Sequence, residues 1–350
     1  MEKFSRWRDP STGVQPFLYP LPASAEPLAP AIKILLTPFA ALLGGLRTLV
    51  IVLLLGAQLV LVGGVLRVFS VVPPAYAALS RACNASIARL ILAVIGVLWI
   101  KVETVQLKRT GRSPPNVPFT PKKGDIIVAN HSSYIDLLYL AFRYNPTFLL
   151  PLSSPSTPGK ISSFRRVSLI QAILSCGQLP QQPKPGQGES LQQALERANG
   201  PVVLFPEATT SNNRALLKFA EVAPLAGISS TAAKPTSARV FVLALKYPAP
   251  TRLSASLTYP IPSSLSLPLP LSHLYTLTSS PIAYTFSLRL LHASESPCLT
   301  LSAATGGNPK KEEWDALEGT LAGAARLKKV GGLGWVEKGA FLEFRRVKGR

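Results

Sequence analysis

The sequence predicts an α/β fold, a mixed sheet flanked by helices, behind an N-terminal membrane-anchoring helical region. Three observations carry this expectation. Short apolar runs, Ile126–Ala129, Pro201–Phe205 and Val240–Lys246, read as buried strands and are separated by helical patterns. The first two end in polar residues capable of chemistry. Finally, residues 48–66 (TLVIVLLLGAQLVLVGGVL) run for 19 residues without a charge between Arg47 and Arg67. That length covers the hydrocarbon core of a bilayer, and flanking arginines can snorkel to its interface. A buried helix of a soluble domain is the competing reading.

Composition narrows the partners. The 350 residues carry a net charge of +20, yet only 15% are charged and 47% are hydrophobic. Strong positive charge suits nucleic acid or an anionic membrane. No motif interleaves Lys/Arg with exposed aromatics, so nucleic acid is set aside and an anionic membrane surface is the expected partner. Three cysteines, Cys83, Cys176 and Cys298, are too few and too scattered for a disulfide framework or a metal cluster. The catalytic part is therefore expected to face a reducing compartment.

In chain order, residues 1–30 are rich in Pro, Ser and Ala and read as a disordered tail. Residues 31–101 form the anchor, with a transmembrane stretch at 48–66. A second apolar run before Lys101 is too short to span and reads as an interfacial or re-entrant helix over 87–100. Residues 102–252 form the α/β domain, opening on a polar basic strand and loop. A helix is expected within Gly159–Gly177, which carries Arg165-Arg166, and another over Ser190–Ala198. Residues 253–288 lack any charged side chain and contain Pro260, Pro262, Pro268, Pro270 and Pro281. Proline density opposes a continuous helix, so 253–280 reads as a low-complexity insertion lying on the membrane. Residues 281–350 add a strand from Tyr284, a helix over Lys311–Leu327 and a basic tail suited to an anionic leaflet.

Two constellations carry chemistry. In GDIIVANHSSYID, His131 stands at a strand-to-helix corner and Asp136 falls in the helix's first turn. If His131 lies just outside that helix, the carboxylate can reach back to orient the imidazole as a general base. Ser133-x-x-Asp136 equally fits a helix capping box. The second constellation, Phe205-Pro206-Glu207-Ala208-Thr209-Thr210-Ser211-Asn212, follows a buried strand and is expected to open a helix through Phe219. Such strand ends gather N–H groups that suit anionic ligands. Glu207 can accept from a glycerol hydroxyl or position a cation such as a lysine, and the Thr and Ser hydroxyls can donate to a phosphate. A capping Thr209 or Ser211 beside a surface Glu207 is the bland alternative.

Asn130-His131-x-x-x-x-Asp136, Phe205-Pro206-Glu207-Ala208-Thr209 and the Val240–Pro248 strand together resemble the glycerolipid (PlsC-like, lysophosphatidic acid) acyltransferase family over roughly residues 100–250. The Thr-Thr-Ser-Asn extension is most similar to fungal lysophosphatidic acid:oleoyl-CoA acyltransferases, and LKKVGGLGWVEKGAFLEF is similar to their C-terminal end. The family has Gly where this chain has Ala208. No clean Gly-x-x-Phe-x-x-Arg block is present, and Phe164, Arg165 and Arg166 come nearest.

The resemblance implies an enzyme that moves a fatty acyl chain from acyl-CoA, a co-substrate, to the glycerol hydroxyl of a lysophospholipid. It implies no other cofactor and no metal. His131 and Asp136 would be catalytic, and Glu207, Thr209, Thr210, Arg165 and Arg166 would hold substrate. The implied location is the endoplasmic reticulum membrane or lipid droplets, with the catalytic domain cytosolic. A catalytically impaired lipid-binding relative and a thioesterase using the same pair are the alternatives.

Overall fold

A computed structural model describes residues 4–22, 30–107, 118–184, 186–223, 236–251, 253–263, 270–301 and 307–348. Parts of the segments 1–30, 102–252, 253–280 (including Pro268) and 281–350 lie outside them. In chain order the elements are α1 (Pro30–Gly63), α2 (Pro73–Ile95), β1 (Val97–Val105), β2 (Ile126–Ala129), α3 (Tyr134–Tyr144), β3 (Thr147–Ser153), β4 (Lys160–Val167), α4 (Leu169–Leu174) and α5 (Leu191–Arg197). They continue with β5 (Val202–Leu204), β6 (Ala215–Leu216), β7 (Glu221–Val222), β8 (Thr236–Lys246), α6 (Leu271–Thr278), β9 (Tyr284–Leu291), β10 (Cys298–Leu301), α7 (Lys311–Ala325), β11 (Lys328–Lys329) and α8 (Trp335–Lys348).

Nine strands form one mixed sheet in the order β1-β9-β8-β2-β5-β3-β4-β7, with β10 paired to β8. Its centre, β8-β2-β5, is parallel. Alternation along the strands sends Ile127, Ala129, Val203, Phe241 and Leu243 into one core, shared with α2, α3, α4 and α6. Ile126, Val128, Val202, Leu204, Val240 and Val242 point the other way, toward α5 and α7. Central strands covered on both faces must be apolar throughout, which is why these runs were legible. The sheet also takes β1, β9 and β10, so the α/β unit extends beyond both 102 and 252.

The N-terminal helices are longer than expected. Leu35–Phe69 and Ala78–Ile95 are each long and apolar enough to cross a membrane. Leu42, Leu46, Leu49, Leu53 and Val60 are exposed, while Ile51 on α1 and Ile87, Ile91 and Leu92 on α2 join the core over the sheet. Arg47 lies mid-way along α1 and does not hang free: its Nη1 donates to the carbonyls of Thr278 and Ser280, at 3.3 and 3.0 Å. The second apolar run is not one helix over 87–100. Gly96 takes a left-handed φ of 106°, ends α2, and releases Val97–Ile100 into β1 beside β9.

Other expectations also fail. Gly159–Gly177 is strand β4 followed by α4, because Ser168 and Gln171 form a capping box that starts the helix late. No helix follows the 205–212 turn, where only the two-residue β6 forms. Residues 4–22 are not disordered: Trp7 and Phe17 are buried in a third core with Leu217, Ile261 and Phe341. Nor does the insertion lie away from the protein, since Leu257, Thr258 and Tyr259 are buried and α6 packs against α1. Among the described residues Leu257, Tyr259, Leu274 and Leu277 join the protein's own core, while Leu253 and Tyr275 are exposed.

Candidate active site

β2 and β5 are neighbours in the sheet, so their C-terminal ends deliver both constellations to one place. After β2, Asn130 extends the ladder with its side chain: Nδ2 donates to the Leu245 carbonyl at 3.0 Å and Oδ1 accepts from Leu245 N at 2.8 Å. The chain then turns into α3. Ser133 caps this helix, and Asp136 Oδ2 accepts from Ser132 N and Ser133 N at 2.7 and 2.9 Å. Its Oδ1 accepts from the Tyr247 hydroxyl. The capping-box reading of Ser133-x-x-Asp136 is thus the observed one. Among the described residues His131 and Asp136 are not hydrogen-bonded, because the backbone donors and Tyr247 occupy the carboxylate. Burial pushes Asp136 up to about 7, against the lowering effect of those donors.

His131 is nearly buried and its ring stacks on Phe205, with centroids 4.2 Å apart. Burial, then the charge of Lys338, lowers it to about 3, so the imidazole is neutral. Nε2 stands 3.6 Å from Cys176 Sγ. This pair does not read as a Cys-His nucleophile: the thiol is buried, and desolvation pushes it well above its ordinary value.

Glu207 stitches the two strand ends together. It is fully buried; Oε1 accepts from His131 N at 3.0 Å and Oε2 from Leu217 N at 3.1 Å. Ser211 N in turn donates to the His131 carbonyl at 2.9 Å. Burial pushes Glu207 up to about 8. The residue expected to touch substrate therefore fixes the backbone that carries His131. Between these bonds Ala208 adopts φ 55°, in the left-handed region, where a Cβ costs about 1–2 kcal/mol.

Thr209 and Thr210 have partners already. Lys338 of α8 has no exposed surface and donates from Nζ to Thr209 Oγ1 (2.8 Å), the Thr210 carbonyl (2.7 Å) and Thr210 Oγ1 (3.0 Å). Thr210 Oγ1 donates onward to the Tyr259 carbonyl at 2.7 Å. Sequence reasoning placed Lys338 in a basic tail suited to an anionic leaflet. The signal was a single lysine among Trp335, Phe341 and Leu342 on the apolar side of a helix.

A cleft open to solvent, with a cavity volume of about 70 Å³, runs past these residues. His131, Ala208, Thr209 and Arg165 line it, and Leu137, Phe148, Leu152 and Phe205 give it apolar walls. Arg165 Nε is buried without a partner. Arg166 points elsewhere, to Glu189 at 2.6 Å, so only one of the two arginines reaches the site. His273 and His292 lie outside the cleft lining; His273 bridges Tyr134 and the Ser256 carbonyl.

A family model described as Acyltransferase matches residues 100–223. A Schizosaccharomyces pombe protein named "Putative lysophosphatidic acid:oleoyl-CoA acyltransferase" is 30% identical over 278 residues, 76% of this chain and 78% of that one. The chain belongs to the Acyltransferase family. "Lysophospholipid acyltransferase LPEAT1" of Arabidopsis thaliana is 28% identical over 165 residues, 40% of this chain and 39% of that protein. No solved structure matches significantly. Acyltransferase membership covers the cleft from β1 to β7, including the His131 corner and the turn that carries Ala208.

Proposed function

We propose that the protein transfers a fatty acyl chain from acyl-CoA to the free glycerol hydroxyl of a lysophospholipid, turning lysophosphatidic acid into phosphatidic acid. The observation that carries this reading is the placement of His131 and Arg165 in the lining of one cleft with apolar walls, where Arg165 Nε is buried without a partner. Apolar walls suit an acyl chain, and a guanidinium suits a phosphate. The hydroxyl oxygen bonds to the thioester carbon while its proton passes to His131. The C–S bond then breaks, and the proton leaves with the CoA sulfur, giving an ester and a free thiol. The thioester supplies a good leaving group, so no protein nucleophile or covalent intermediate is required.

Asp136 serves this step as a positioning residue, through the corner backbone and Tyr247 rather than through the imidazole. The work proceeds at the membrane of the endoplasmic reticulum or at lipid droplets, with the exposed apolar face of α1 in the lipid and the cleft in the cytosol.

Purified protein in detergent, given labelled oleoyl-CoA and lysophosphatidic acid, tests the reading. Labelled phosphatidic acid supports it, and labelled free fatty acid would point to a thioesterase. The strained φ of Ala208 favours one rival, a lipid-binding relative with impaired catalysis. Neither product from wild type, with strong turnover by Ala208→Gly, would establish that rival.

A further inference from the structure

We infer that Lys338 is a positioning residue for acyl transfer: it holds Thr209 so that the hydroxyl proton of Thr209 faces the cleft as a donor to the oxyanion formed at the thioester carbonyl. This rests on the acyltransfer reading above and names one donor for the charge that reaction creates.

The argument begins with proton counting. A neutral amine has two N–H protons, whereas an ammonium has three. Lys338 Nζ has three oxygen acceptors at 2.8, 2.7 and 3.0 Å, so the arrangement is built for the charged form. No carboxylate lies within ion-pair distance of it among the described residues. A buried cation without a counter-ion is costly, and here it is offset only by three neutral oxygens. Burial accordingly lowers Lys338 to about 7. The titratable groups around it are Glu207 and Cys176, whose negative forms would favour the ammonium, and His131, which its charge keeps neutral.

The two threonines differ in what they do with this charge. Thr210 Oγ1 accepts from Lys338 and spends its own proton on the Tyr259 carbonyl. Thr209 Oγ1 also accepts from Lys338, but among the described residues no other bond engages its hydroxyl, and Thr209 lines the cleft with His131. A hydroxyl that accepts from a cation becomes a stronger donor. Thr209 is therefore a polarised, pre-oriented donor beside the base, the arrangement that lowers the energy of a developing oxyanion. Ala208, at φ 55°, is the residue that turns Thr209 toward this position.

The test compares Lys338→Gln, Lys338→Met, Thr209→Val and the Lys338→Gln/Thr209→Val double variant with wild type, in the labelled oleoyl-CoA assay with melting curves alongside. Production of phospholipid by wild type is the control for the parent reading; its failure there is a failure of that reading. Given turnover, each single change is expected to lower kcat about tenfold or more with KM for both substrates little altered, since a lost donor to the transition state acts on kcat. The double variant should fall no further than the single ones. Wild-type kcat should also decline as pH rises past about 7, where Lys338 loses its proton, and Lys338→Gln should lack that decline. A merely structural lysine would alter stability and leave the kcat profile unmoved. Unchanged kcat in a folded Lys338→Gln overturns the proposal. If changes at Lys338 prevent folding, Thr209→Val still decides: full kcat there overturns it with the lysine in place.

Discussion

The corner after β2 and the turn after β5 face the same cleft, but they find their hydrogen bonds in different places. The start of α3 at the corner closes on itself: Ser132 N and Ser133 N go to Asp136 four and three residues away, and Ser133 caps the helix, while Asn130 and Asp136 also bond to Leu245 and Tyr247 at the end of β8. The turn closes on distant chain. Thr209 and Thr210 are held by Lys338 from α8, Thr210 by Tyr259 from the insertion, and Asn212 by the carbonyls of Gln15, Pro16 and Leu18. The corner thus has a locally encoded helix cap braced by the neighbouring strand ends, whereas the turn is held only once both ends of the chain have docked. Glu207 is the joint between them, because one oxygen holds His131 and the other holds Leu217.

Breaking the docking should therefore damage the turn most. Phe17 is 1% exposed and its ring lies 5.6 Å from Phe341 of α8. Phe17→Ala should cost about 3–5 kcal/mol in denaturant unfolding, the usual range for a buried phenylalanine. Activity should fall with it, because the tail and α8 both brace the turn.

Cutting the joint should cost less. Glu207→Gln keeps one acceptor and turns an NH2 toward the other backbone N–H, an orphaned donor worth about 1–3 kcal/mol. It should also change the pH dependence. Burial raises Glu207 to about 8, so its folded state prefers the protonated form. The stability this contributes is fully present below the ordinary carboxylate range and is lost as pH rises through 8. Asp136, raised to about 7, acts with the same sign. Melting temperature should thus fall between pH 5 and 9 in wild type, and less steeply in Glu207→Gln.

Changes confined to one half sharpen the contrast. Ser133→Ala removes a local cap and should lose about 1 kcal/mol, read from the same melts. Ala208→Gly relieves a left-handed alanine and should gain up to about 1 kcal/mol, less the extra entropy of glycine in the unfolded chain. A stability loss in Ala208→Gly would remove the strain argument.

The same contrast explains what could be read from sequence. β2, β5 and β8 were visible because central strands must be apolar on both faces, and β9 because buried apolar residues alternate with Thr285, Ser287 and Arg289 along it. The 159–177 segment was misread because its apolar spacing fits a helix as well as a strand, although Ser168-x-x-Gln171 marked where the helix begins. The His131 corner was visible, but its two readings, orienting carboxylate and capping box, differ only in where the Asp136 oxygens point. The roles of Glu207 and Lys338 were hidden for another reason. Lys338 meets Thr209 across 129 positions, and no local pattern records such a partner. The tail looked unstructured because Trp7 and Phe17 find their core partners, Leu217, Ile261 and Phe341, only in distant parts of the chain.

The central claim is that His131 is the base of an acyl transfer to lipid. The direct measurement is kcat/KM of His131→Ala against wild type, with labelled oleoyl-CoA and lysophosphatidic acid in detergent and a melting curve to show the variant folded. The account predicts a loss of about 10²–10⁴-fold with the fold retained, the usual worth of a positioned general base. Wild-type turnover by a folded His131→Ala would contradict it.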